Sequence, residues 1–150
     1  MADLLAGSPI TALDTPPMAT SFSGGTVTTT STTFTTSGTD VAVVFTAPTT
    51  GKVLIQTTAR MVNTSSTSGT LISPETRTGS SIGSGTVTEA ASDANGASHY
   101  GSTFARSTAS HPLTGLTPGA VYNTRLLMRS SVGTETASFA NRELTVLPTT

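Results

Sequence analysis

Gly115-Leu116-Thr117-Pro118-Gly119, running directly into Ala120-Val121-Tyr122-Asn123-Thr124-Arg125-Leu126-Leu127-Met128-Arg129-Ser130-Ser131, decides the fold of this chain. The Pro-Gly pair makes a tight turn, and the residues after it alternate with period two. Tyr122, Leu126 and Met128 fall on one face, and Val121, Asn123, Arg125 and Leu127 on the other. Val132-Gly133-Thr134 turns the chain again, and residues 136–147 return as a second long strand that Pro148 ends.

Upstream the same pattern recurs in shorter pieces. Val41-Ala42-Val43-Val44-Phe45-Thr46-Ala47 is an apolar run suited to a strand buried on both faces. Pro48-Thr49-Thr50-Gly51 turns it into residues 52–62, where Val53, Ile55, Thr57, Ala59 and Met61 share a face, and the two runs are expected to pair as a hairpin. Residues 26–36 alternate weakly and are so rich in threonine that they read as an edge or intersubunit strand. Between 63 and 110, Gly69, Gly79, Gly83, Gly85, Gly96 and Gly101 cut the chain into strand-length pieces. Strands are expected over 70–78, 86–90 and 98–105, with Asn95-Gly96 as a two-residue turn. No window of about 11 residues carries a helical apolar stripe, so helix is minor. Roughly eight to ten short strands with Gly/Pro turns between them predict an all-β fold, an antiparallel β-sandwich of jelly-roll type.

Composition agrees. The 150 residues hold thirty-four threonines and twenty serines but one lysine, and neither cysteine nor tryptophan. A β-branched hydroxyl side chain suits a pleated, half-wet surface, because its stiff χ1 loses little on entering a strand. The hydrophobic fraction, 35%, is below that of ordinary globular chains, yet a net charge of −1 lacks the self-repulsion that accompanies disorder. One domain of this size buries roughly 70% of its unfolded surface. The seven basic residues are scattered, so nucleic acid is not an expected partner. Without cysteine, stability must come from the core or from oligomerisation.

The opening Met1-Ala2-Asp3-Leu4-Leu5-Ala6-Gly7 has neither a basic segment nor an apolar run, and no later stretch approaches the length of a membrane span. No signal peptide, anchor or membrane partner is expected, and the chain should be soluble where it is made. Residues 1–17 nonetheless carry Leu4, Leu5, Ile10 and Leu13 among Pro9, Pro16 and Pro17, too interrupted for a long helix and too apolar for an idle tail. They divide the chain into an extended N-terminal arm, 1–17, and a β-sandwich domain, 18–150. The arm straps its own domain or binds a partner.

Ionisable groups are too sparse to form an obvious reactive cluster. Gly79-Ser80-Ser81-Ile82-Gly83 matches the G-x-S-x-G nucleophile pattern, with Asp93 and then His99 or His111 following in hydrolase order. That motif needs an apolar strand before it and a helix after it, and neither is visible here. His99 and His111 have no close His or carboxylate partner in sequence for a metal site. Glu75, Glu89 or Glu135 could be brought together by strands for glycoside hydrolysis, but Tyr100 and Tyr122 are the only tyrosines available as sugar platforms. Asn63-Thr64-Ser65 fits a glycosylation sequon. No enzyme activity, catalytic residue, cofactor or metal is expected.

Gly115 to Arg129 resembles the turn and strand of fibronectin type III domains, in which a Tyr after L-x-P-G locks a corner. A broader resemblance covers most of the chain. The segments that carry it are Ala2-Asp3-Leu4-Leu5-Ala6-Gly7, Ala12-Leu13-Asp14-Thr15-Pro16-Pro17, Val44-Phe45-Thr46-Ala47-Pro48-Thr49-Thr50-Gly51-Lys52-Val53-Leu54-Ile55, the Gly115 turn, and Arg142-Glu143-Leu144-Thr145-Val146-Leu147-Pro148. They are similar to small β-sandwich virion proteins of actinobacterial tailed phages. That resemblance implies a structural protein on the surface of a phage particle, often trimeric. It would be a capsid decoration (cement) protein on the major capsid protein lattice, with Leu4, Leu5, Ile10 and Leu13 as the arm that grips that lattice or a neighbouring protomer. The alternative is a minor tail or fibre protein, or an adhesin whose loops near 65–69 and 92–101 bind a host-surface glycan.

Overall fold

A chain whose apolar residues recur at every second position can hide them only by closing one sheet on another. The computed structural model describes residues 16–38 and 40–149, and within them ten strands form two antiparallel sheets. The strands are β1 (Ala19–Ser23), β2 (Val27–Thr29), β3 (Ala42–Thr46), β4 (Val53–Asn63), β5 (Gly69–Thr78), β6 (Val87–Glu89), β7 (Ala97–Tyr100), β8 (Ala105–Leu113), β9 (Val121–Ser130) and β10 (Ala137–Pro148). Sheet A has the order β1-β10-β4-β8 with β2 also on β10, and sheet B the order β3-β9-β5-β6 with β7 also on β5. The protein is an all-β antiparallel sandwich, and no helix occurs among the described residues.

The core lies between the sheets and follows the alternation. Val53, Ile55, Ala59 and Met61 of β4 face Phe45 of β3, Ile72 of β5 and Tyr122, Leu126 and Met128 of β9. Full burial of such aliphatic and aromatic side chains contributes about 1.5–3 kcal/mol each. Strand β10 keeps its apolar residues inside only by changing phase. Ala140 pairs with Arg60 and Glu143 with Thr58, so three steps on β10 match two on β4. Asn141 takes up this bulge at φ 48°, a backbone region that asparagine tolerates better than most residues. Ala137 and Phe139 are buried on one side of the bulge and Leu144 and Val146 on the other, and Arg142 is drawn inward until it is 1% exposed. Its Nη1 donates to the Ser37 carbonyl at 3.4 Å and its Nη2 to Ser23 Oγ at 3.3 Å. Burial pushes the Arg142 pKa down, and the nearby Asp40 carboxylate counters it.

The corner after Gly115 forms as its residues suggest. Thr117 N–H donates to Tyr122 Oη at 3.0 Å, while the Tyr122 ring stacks on Phe45 with centroids 5.8 Å apart. Tyr122→Phe keeps the stacking and removes the acceptor, so we expect a loss of about 1 kcal/mol, read as a lower urea midpoint at an unchanged m-value.

Three expectations fail, one of them over 98–105, where β7 ends at Tyr100 and β8 begins only at Ala105. Residues 41–47 and 52–62 do not make a hairpin: β3 pairs with β9 in sheet B and β4 with β8 and β10 in sheet A, so the 48–51 turn carries the chain between layers. Strand β3 is not buried on both faces, because it is a sheet edge and Val44 is 42% exposed. Residues 26–36 do supply an edge strand, but only over the short β2 before the chain crosses to sheet B, where Thr35 bridges Met128.

Edges differ in kind. β1 and β2 lie along β10 with Gly24-Gly25-Thr26 between them, and β7 and β6 lie along β5 with residues 90–96 between them. Strand β3 is 5 residues long, and the nine-residue β8 closes sheet A as one uninterrupted edge.

Candidate interaction surfaces

The groups that sequence reading singled out for chemistry occupy separate places. Ser81 lies in the 79–86 turn, where its carbonyl accepts from Ser84 N–H at 3.0 Å. The turn is held against sheet B by the buried Asn123, whose Nδ2 donates to the Gly79 carbonyl at 3.0 Å and whose Oδ1 accepts from Gly83 N–H at 3.0 Å. No helix follows it, so the local frame of a nucleophile elbow is missing. Asp93 pairs with Arg129, whose Nε lies 2.9 Å from Asp93 Oδ1. His99 Nε2 meets the Thr103 carbonyl at 2.8 Å, and His111 Nε2 meets Glu89 Oε2 at 2.7 Å. Serine, acid and imidazoles thus each hold other partners.

The carboxylates are not paired with one another. Glu135 accepts from the Thr64 hydroxyl at 2.7 Å, and Glu89 joins His111 and Asn95. The Glu89–His111 contact spans from β6 in sheet B to β8 in sheet A and clasps the two layers along one side. Among the described residues no group of three or more His, Cys, Asp or Glu is close enough to hold a metal ion. Asn63 of the sequon is buried, with its Nδ2 donating to the Gly69 carbonyl at 3.1 Å, so it is a brace between loops rather than a surface amide.

Glu75 heads the densest ionic cluster. On the outer face of sheet B its Oε1 accepts from Arg77 Nε at 2.8 Å and from Arg125 Nε at 3.0 Å, and its Oε2 from Arg77 Nη2 at 3.1 Å. The Arg77 hydrogen bonds hold the Glu75 carboxyl below the usual carboxylate range against the opposing effect of burial, and Arg125 adds to the lowering. Arg77 also donates from Nη1 to the Gly85 carbonyl at 3.1 Å, which ties the 79–86 turn to the cluster. Together with residues 90–96, anchored by Asp93–Arg129 and by Ser92 N–H on Ser73 Oγ at 3.1 Å, this turn roofs the outer face of sheet B. Glu75 and Arg77 share a face of β5 by their spacing of two, but only the β5–β9 register brings Arg125 to them, which the sequence does not signal.

Sheet A is different. Its outer face is hydroxylated: the Thr20 and Thr145 oxygens lie 3.3 Å apart and the Thr58 and Thr108 oxygens 2.9 Å apart, with Thr58 and Thr145 buried and Gln56 and Ser110 exposed beside them. Arg60, Arg106 and Glu143 are its charges; Arg60 lies over the Phe104 ring at 3.9 Å, and Arg106 reaches Glu143 at 3.4 Å.

The two ends of the sandwich also differ. At one end the 48–51 and 115–119 turns interlock, Leu116 N–H donating to the Gly51 carbonyl at 3.1 Å. The chain emerges from residues 1–15 at this end, since Ala19 pairs with Val146. Here Pro16, Pro17, Met18, Val44, Phe45 and Val121 line an open apolar cleft of about 370 Å³. Leu4, Leu5, Ile10 and Leu13 lie outside the described residues. At the other end the 64–68, 101–104 and 131–136 loops meet, with Asn63 N–H on the Gly101 carbonyl at 2.9 Å and Thr64 N–H on the Thr136 carbonyl at 3.1 Å. Tyr100 stands there 59% exposed, its ring against Gly69, where an added Cβ would lie 2.7 Å from Cζ.

No protein-family model and no curated protein matches the chain. Among solved structures, one described as "Structure of Eiger TNF from S. frugiperda" superimposes with a TM-score of 0.53, at 9% identity, over 89% of this chain and 92% of that one. At that identity the likeness is one of fold, and it agrees with a jelly-roll-like sandwich.

Proposed function

We propose that this chain is a structural protein of a phage particle that works by binding and assembly rather than by catalysis. In this reading it decorates the capsid, held to the major capsid protein lattice by its N-terminal arm and by contacts among subunits associated as a homotrimer. The observation that carries the reading is the polarity of the molecule. The arm joins the sandwich at the Gly51 end, and the 64–68, 101–104 and 131–136 loops, with Tyr100, project from the opposite end. The two are separated by the 11 residues of β4, roughly 35 Å of strand. A module anchored through the first end presents the second to the surroundings. The hydroxylated face of sheet A suits subunit contacts that retain water and bury few charges. Symmetry then multiplies individually weak contacts.

Removing residues 1–15 tests it. Phage particles stripped of this protein and re-saturated with the truncated chain are expected to retain it about tenfold less than the full chain or worse, with the circular dichroism of the sandwich preserved. Undiminished retention removes the arm-anchored decoration reading.

Exposure of Tyr100 favours one second reading, a minor tail or fibre protein, or an adhesin, that stacks a host-surface glycan on this ring. Cell-wall binding by the isolated protein that Tyr100→Ala abolishes would support it.

A further inference from the structure

The cleft at the Gly51 end has a shape and chemistry that the sandwich itself does not use. Three large apolar side chains that elsewhere would be buried border it in the open: Met18 at 56% exposure, Val44 at 42% and Val121 at 40%. Phe45, Pro17, Ala19 and Thr46 continue a mainly apolar lining, with no charged residue in it among the described residues. Scattered exposed apolar residues are ordinary, but several around one concavity mark a seat for something.

What precedes the cleft in the chain is of matching character. Residues 1–15 include Leu4, Leu5, Ile10 and Leu13, and they join the body at Pro16, itself part of the cleft wall. Fifteen residues reach about 50 Å when extended, more than the length of the sandwich. Pro16 and Pro17 fix φ where the chain meets the body, and the fifteen residues before them are long enough to carry their apolar side chains to a second body. The geometry points to a second copy of this chain as the source: we infer that the cleft formed by Met18, Val44 and Val121 seats the arm residues Leu4, Leu5, Ile10 and Leu13 of a neighbouring subunit. In such exchange each copy gives an arm and receives one, and a closed assembly results where the rotation between copies closes. This inference rests on reading residues 1–17 as an arm; it seats Leu4, Leu5, Ile10 and Leu13 between subunits, so that in the decoration reading the arm holds together the assembly that meets the capsid lattice, and it stands whether or not a capsid is bound.

Because the chain has no cysteine, introduced thiols are the only ones present. Val44→Cys is combined in turn with Leu4→Cys, Leu5→Cys, Ile10→Cys and Leu13→Cys in the full-length protein, and each is oxidised and run without reductant. We expect at least one pair to yield disulfide-linked multimers. A linked species that stays at the mass of one chain would place the arm in its own cleft and overturn the inference, as would failure of all four pairs. In parallel, sedimentation of the full chain is expected to give a multiple of 15.1 kDa, falling to a single chain in Val121→Asp, Val44→Asp and the 1–15 deletion. Both valines are exposed strand residues, so the variants should keep the native circular dichroism. A full-length monomer, or an assembly indifferent to all three changes, overturns the inference. That outcome is independent of the particle test: multimers linked arm to cleft with no particle attachment would leave the arm seat standing and remove only the decoration reading.

Discussion

Gly51→Ala is expected to destabilise the protein by about 3 kcal/mol, and Gly115→Ala by about 1 kcal/mol. Both glycines have positive φ, 63° and 78°, so both substitutions force an L-residue into a left-handed conformation. They differ in surroundings. A Cβ on Gly51 would lie 2.4 Å from the Leu116 carbonyl oxygen, which is backbone and cannot rotate away, whereas a Cβ on Gly115 meets nothing within 4 Å. Relieving the first clash means parting the 48–51 and 115–119 turns and losing the Leu116 N–H bond to the Gly51 carbonyl. For a domain of this size the larger effect lowers Tm by roughly 10 °C. Urea unfolding of the two variants checks it, and equal losses would show that the interlock contributes nothing beyond backbone strain. Because these turns stand beside the apolar cleft, Gly51→Ala should also weaken any assembly that depends on it.

The second large effect is expected from Glu75→Gln. Both Glu75 oxygens accept from guanidinium groups, and the amide that replaces one of them turns donors toward donors. The Arg77 and Arg125 side chains keep 23% and 21% exposure, so water moderates the loss, which should be about 2 kcal/mol near neutral pH. Its pH dependence has a definite sign. The folded-state pKa of Glu75 is depressed, so its contribution is complete above the ordinary carboxylate range, about pH 4, and is lost as pH falls through the lower folded value. The gap in urea midpoint between the two proteins should therefore be widest at neutral pH and close in acid. A gap that ignores pH would assign the loss to packing.

How far the residues announced this structure depends on the range of the information each element needs. Strands β4 and β9 were legible because their alternation is local, β5 because Gly69 and Gly79 bracket it, β10 because the 132–134 turn and Pro148 bound it, and the Tyr122 corner because a short local motif specifies it. Strand β8 was not: only Ala105, Ser107, Ala109 and His111 precede Leu113 on its inner side, so polar and small residues hide the period. The β3–β4 hairpin failed because Pro48-Thr49-Thr50-Gly51 defines a turn but says nothing about whether the chain returns to the same sheet. The bulge at Asn141 depends on how β10 meets β4 and leaves no mark in a single strand. The cleft illustrates the same limit at a candidate site. Val44 reads as core when taken within its own apolar run, and only the placement of β3 at a sheet edge puts it in the open. Arm residues Leu4, Leu5, Ile10 and Leu13 stood out in sequence by composition alone.

The contrast among the sheet edges sets where unwanted growth can start. Glycines interrupt one border, a seven-residue excursion another, and a third is short, so a stray peptide finds little continuous backbone to anneal along. β8 offers nine residues without a break, guarded by Arg106 and by the missing donor of Pro112. When the protein is concentrated or stored, fibril nucleation should begin on this rail, and a lysine at Thr108 or Ser110 is the natural way to blunt it.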